Sequence, residues 1–149
     1  MRDVFCYYRK SLKLSGYDSP VERVVRQDLV LSELCMEKEW KVYRRFSDIG
    51  FLGDPIRRAE LIEMRNLVES PTCPVDLMVM YSVFAVRGDS KMNEDLFLEN
   101  VKGIGGIYFH KQKLWMDYDR LRFFLRGPQF VRMPFMKEEP VRLIKRERA

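Results

Sequence analysis

Apolar and polar positions divide the chain into short apolar runs separated by stretches with a helical rhythm. Residues 3–9 form an apolar run of strand length that turns polar toward its end. "LKLSGYDSP" (12–20) reads as a loop, with Gly16, Asp18, Ser19 and Pro20 as turn residues. Ser19 before Pro20 predicts a helix start, the serine as N-cap and the proline in the first turn. That helix is expected to run to about Glu39, with Val24, Leu31, Leu34 and Cys35 on its apolar face. Gln27 falls on the same face, and an inward amide has to find a hydrogen-bond partner. "WKVYRRFSD" (40–48) reads as a second strand and "IGFLGDPI" (49–56) as a loop. A helix over 57–68 would turn Leu61, Met64 and Val68 inward. "VDLMVMYSVF" (75–84) is the most apolar run and predicts a central strand. A polar loop then leads to a helix over 93–101, and "GIGG" (103–106) turns the chain into a fourth strand, 107–111. Beyond His110 the periodicity fades. "LWMDYDRLRFFLRG" suits a short helix, and prolines at 128, 134 and 140 suit an extended tail.

The order β-α-β-α-β-α-β predicts an α/β fold of three layers. Its sheet would be mostly parallel, with four to five strands and helices on both faces. In such sheets chemistry collects beyond the carboxyl ends of the strands. Ser11, Asp48 and the segment from Phe84 to Gly88 all fall there. Tyr7, Arg9 and Ser11 are spaced two apart, so a strand would align a phenol, a guanidinium and a hydroxyl on one side.

Composition narrows the classes. The 149 residues suffice for one domain with a real core, and no apolar run approaches the roughly 20 residues of a membrane span. "MRDVFCYY" lacks a signal-peptide pattern, and Cys6, Cys35 and Cys73 have no metal spacing, so reduced core cysteines in a cytoplasmic protein are expected. The net charge of +5 is unevenly placed: residues 1–110 hold 16 basic and 17 acidic side chains, residues 111–149 hold 11 and 5. A basic terminal quarter suits an anionic partner such as DNA, and equally serves solubility. "GIGG" lacks the third glycine of a dinucleotide loop and precedes a strand, so it is no nucleotide site. His110, the only histidine, has no carboxylate placed beside it by the sequence and reads as structural or superficial. No metal or organic cofactor is expected.

The remaining polar residues recur in a spaced order. The first strand ends Tyr7-Tyr8-Arg9-Lys10-Ser11; "SPVERVVRQDLVLSELCMEKEW" places Gln27 thirteen residues before Trp40; "DIGFLGDPIRR" runs from Asp48 to Arg58; Asp76 opens the third strand and Gly106-Ile107 the fourth. Over residues 3–112 this pattern resembles the catalytic domain of serine site-specific recombinases: resolvases, invertases and large serine integrases. The resemblance implies a resolvase-like fold and DNA strand exchange through a phosphoserine link, in a mobile-element context. It implies that Ser11 is the nucleophile and that Arg9 and Arg58 clamp the phosphate. Gln27 and Tyr7 would position the serine loop, and Asp48 would orient an arginine. Arginines suit a crowded phosphate because they are bidentate and always charged.

The resemblance is incomplete. After the third strand the family carries an Asp-Arg pair and a further Arg three residues on; here those positions are Phe84, Ala85 and Gly88, with Arg87 one residue early. Leu52 replaces the loop serine before Gly53. The expected consequence is impaired or lost catalysis, or a non-catalytic DNA- or protein-binding module on the same fold. The expected division is a catalytic-type domain over 1–118 and a basic tail over 119–149, with no separate DNA-binding domain. DNA would then be held weakly, and a homodimer or tetramer is implied, with no membrane partner.

Overall fold

The computed structural model describes residues 1–11, 20–50, 59–86 and 91–126. The elements are β1 (Arg2–Ser11), α1 (Pro20–Glu37), β2 (Trp40–Gly50), α2 (Ala59–Glu69), β3 (Leu77–Met80), α3 (Lys91–Val101), β4 (Gly106–Phe109), β5 (Leu114–Met116) and α4 (Tyr118–Arg126). A short 3-10 turn, Val83–Ala85, follows β3. The sheet order is β2-β1-β3-β4-β5, parallel except for the antiparallel β4–β5 pair. The expected three-layer, mostly parallel α/β sheet is the observed one.

β1 is central and Val4 to Tyr8 are all buried, which is why this stretch is apolar without alternation. Its odd residues, Phe5 and Tyr7, pack with Phe46, Met78 and Phe109 under α2, α3 and α4. Its even residues, Val4, Cys6 and Tyr8, pack with Leu77, Val79 and Tyr108 under α1. Trp40 closes that second core edge to face with Tyr108 and Trp115, centroids 5.8 Å apart, and Tyr108 and Trp115 meet tilted at 4.8 Å. α1 is also fastened by polar contacts: Asp28 accepts from the Tyr8 hydroxyl and, at 2.8 Å, from Arg45 Nε. Burial first, and then Cys6 and Asp28, push the Tyr8 phenol well above its ordinary range.

One irregularity in β2 controls the layers. Val4 pairs with Val42 but Phe5 pairs with Arg44, so Tyr43 has no partner on β1. Such a bulge turns every later side chain to the other face. Trp40 and Val42 accordingly pack under α1, whereas Phe46 packs under α2. The bulge also decides which face each of the adjacent arginines takes: Arg44 reaches Glu63 on α2 and lies over the Phe46 ring, while Arg45 reaches Asp28 on α1.

Two expectations need correction. The strand expected over 75–84 pairs only from Leu77 to Met80. Its apolar continuation leaves the sheet because Val83 donates its N–H to the Gln112 side chain, 2.9 Å away, rather than to a ladder. "LWM" is not helical but forms β5, folded back on β4 through a turn with Lys113 at φ 53°. Three apolar residues are too short to show a period. The helix expected beyond His110 begins only at Tyr118, and it packs Leu121 into the core. Of the predicted loops 12–20 and 49–56, Pro20 opens α1 and Ile49 and Gly50 extend β2; the rest lies outside the described residues, as do the tail from residue 127 and Arg57, Arg58, Arg87 and Gly88.

Candidate active site

The carboxyl end of β1 runs on beside β2 after the rest of the sheet has stopped. β1 pairs with β3 only as far as Cys6↔Val79, but with β2 as far as Ser11↔Gly50. In that extension Arg9 is paired with Asp48, so the backbone brings four of the six candidates, Tyr7, Arg9, Ser11 and Asp48, to one two-stranded lip.

Asp48 is the hub of the described part. It is buried, and Oδ2 accepts from the Tyr7 hydroxyl at 2.8 Å and from Leu61 N at 3.0 Å. Oδ1 accepts from Glu60 N at 3.0 Å. A helix leaves its first amides unpaired and carries partial positive charge there, so a carboxylate is well placed at that end. Asp48 therefore caps α2 from a neighbouring strand and ties β1, β2 and α2 together. Without the bulge at Tyr43, the period of two would have put Asp48 on the same side as Trp40, under α1 and away from Tyr7.

Nearby carboxylates respond to this crowding. Burial, then Glu63 and Asp48, raise the Glu60 carboxyl above its ordinary value. A hydrogen bond from Arg44 lowers that of Glu63.

Gln27 is half-buried on α1, which packs on the opposite side of the sheet from Tyr7 and Asp48. The Tyr8–Asp28 contact sets this part of α1 beside the carboxyl half of β1. The amide of Gln27 is not brought to Tyr7 or Asp48. Arg58 lies outside the described residues, directly before α2 in the sequence.

The end of β3 is built differently. Ser82 caps the 3-10 turn by accepting from Phe84 N, and Gln112 accepts from Val83 N and donates to Ser82 Oγ at 3.1 Å. Val83 and Val86 are buried, Ala85 packs against the core, and Phe84 is 67% exposed. From Tyr81 to Val86 the turn carries no ionisable group except the Tyr81 phenol. Gln112 is a contributor that sequence reasoning missed, because its partners Val83 and Ser82 lie 29 and 30 residues away. His110 sits in a tilted ring contact with Tyr81, centroids 6.3 Å apart. Among the described residues, no group of three or more His, Cys, Asp or Glu is placed to hold a metal, and no helix is long and apolar enough to cross a membrane.

This arrangement of strands and helices has a counterpart among solved structures. The N-terminal catalytic domain of TP901-1 integrase matches with a TM-score of 0.54 at 20% identity, over 83% of this chain and 88% of that one. The chain has the fold of a serine recombinase catalytic domain. The C-terminal catalytic domain of ISC1926 TnpA, an IS607-like serine recombinase, gives a TM-score of 0.47 at 22% identity, over 72% of this chain and 67% of that one. No protein-family model and no curated protein matches the chain. The likeness thus lives in the fold, where the order of elements and the sheet agree with the resemblance seen in the motifs.

Proposed function

We propose that this is a DNA-acting domain of the serine recombinase type in which the phosphoryl-transfer chemistry is impaired. Ser11 is the nucleophile: its oxygen forms a bond to a backbone phosphorus as the bond from that phosphorus to a deoxyribose oxygen breaks. The serine proton leaves and the departing oxygen gains one. Arg9 and Arg58 neutralise the charge that gathers on the phosphate. Tyr7 and Asp48 hold the lip and the start of α2 in fixed relation.

The observation that carries the reading is the Tyr7–Asp48–α2 junction, at the carboxyl end of the strand that ends in Ser11. The observation behind the word impaired is the β3 turn, where Phe84 and Ala85 supply no charge to a phosphate. Loss of one preorganised donor typically costs roughly 10²–10³ in rate, so loss of two leaves little cleavage. The exposure of Phe84 favours a second reading, in which the same fold binds DNA or protein without cutting.

The test is a covalent-adduct assay on supercoiled and fragmented DNA, denatured in detergent, with Ser11→Ala beside the wild type. The expected result is a slow adduct, absent from Ser11→Ala. An adduct of equal yield in both would remove Ser11 as the nucleophile. No adduct from the wild type, nor from a variant with the Asp-Arg pair restored, would leave the binding reading.

A further inference from the structure

The turns after β3 and β4 form one surface that the proposed chemistry does not use. β3 and β4 end side by side, Met80 paired with Phe109. Beyond them the two turns are laced together. His110 N donates to Met80 O at 2.9 Å and Lys111 N to Tyr81 O at 2.8 Å. Gln112 joins Val83 and Ser82 as described. The ring of Phe84 stands out of this scaffold while its neighbours Val83 and Val86 are buried. Lys111 and Lys113 are exposed and Tyr81 and His110 half-exposed. Neither turn, 81–86 or 110–113, contains a carboxylate. Lys113 also holds φ 53°, a left-handed position that a glycine fills at less cost. The chain thus keeps a cation there, and a phenyl ring in water, against local preference.

We propose that this surface binds single-stranded DNA, with an unpaired base stacked on Phe84 and adjacent phosphates on Lys111 and Lys113. The inference rests on the reading above that the domain acts on DNA. A nucleotide combines the two features the surface offers partners for, a flat π face and an anion, one unit apart. Bases inside a duplex already stack on one another and cannot cover the ring, so the fit is to an unpaired stretch. Stacking on an aromatic side chain tolerates any base, and lysines read only the backbone, so the contact carries little sequence preference.

The experiment is fluorescence anisotropy of the full chain with a labelled oligo(dT) of about 15 nucleotides, matched to the site sizes of stacking platforms, against a hairpin duplex. Wild type is expected to bind the single strand more tightly than the duplex. Phe84→Ala is expected to weaken oligo(dT) binding by roughly 5- to 150-fold with the duplex affinity unchanged. Phe84→Trp retains binding, whereas Phe84→Leu, which keeps an apolar side chain but no ring, behaves as the alanine variant. Lys111→Gln with Lys113→Gln lowers the slope of log affinity against log salt by about 1.4, two phosphates' worth on a single strand. Unfolding midpoints of all four variants serve as the folding control. Equal oligo(dT) binding by wild type and Phe84→Ala overturns the proposal and leaves the ring as a protein contact. Strand binding that depends on Phe84 without any Ser11-linked adduct sustains this surface and removes the nucleophile. An adduct with no Phe84-dependent binding does the reverse.

Discussion

Two strand ends lie on the same edge of this sheet and are built on opposite principles. At the end of β1 and β2 a buried carboxylate, a phenol and the amides of α2 form a fully engaged polar junction. At the end of β3 the turn is held by a neutral serine and a neutral glutamine, with apolar residues turned in and Phe84 turned out. The first end has the buried, charge-assisted character of a site that must keep its geometry while handling charge. The second keeps its shape with no charge at all. One strand end thus holds a buried charge as structure, while the other is free to present an apolar ring.

The contrast breaks most severely at Asp48→Ala. It leaves the buried Tyr7 hydroxyl and two helix amides without their acceptor, at a cost of about 3 kcal/mol, lowering Tm by roughly 10 °C. Phe84→Ala at the other strand end stays within about 0.5 kcal/mol, as exposed positions do. If both variants lost the same stability, the comparison between the two ends would fail. Tyr7→Phe, which removes one hydrogen bond to a carboxylate, is expected to cost about 1.5–2 kcal/mol in a denaturant titration.

The smallest effect is electrostatic. The Glu60 carboxyl is raised in the folded state by burial and by its acidic neighbours. Ionising it therefore disfavours folding, so its contribution is best at low pH and is lost as pH rises through the folded value. Glu60→Gln should raise Tm slightly at neutral pH. The gain should vanish as pH falls below the carboxylate range, and a gain independent of pH would assign the effect to packing.

What the sequence revealed follows from what each element needs. β1 was legible because a strand buried on both faces must be apolar throughout, and α1 because Pro20 marks its start. The β2 bulge was not legible. Trp40, Val42, Phe46 and Asp48 keep an even spacing that reads as one face, and only the pairing with β1 shows the switch. β5 was too short to carry a period, and the early end of β3 depends on Gln112, a partner remote in sequence. For the site, spacing grouped Tyr7, Arg9 and Ser11, and the family resemblance added Asp48. Its bond to Tyr7 and its cap on α2 needed the third dimension. Gln27 illustrates the converse. Its helical phase placed it correctly on the inward side of α1, yet that helix covers the other face of the sheet.

The central proposal is that the β3 turn limits the proposed chemistry at Ser11. The direct measurement is the rate of Ser11-dependent adduct formation in wild type against Phe84→Asp with Ala85→Arg. Because Ala85 packs against the core, the larger side chain should also cost about 1–3 kcal/mol of stability, so the assay is run well below the unfolding midpoint of both proteins. The account predicts that the paired substitution accelerates adduct formation by about 10²-fold or more. A wild-type rate already equal to that of the restored protein would contradict it.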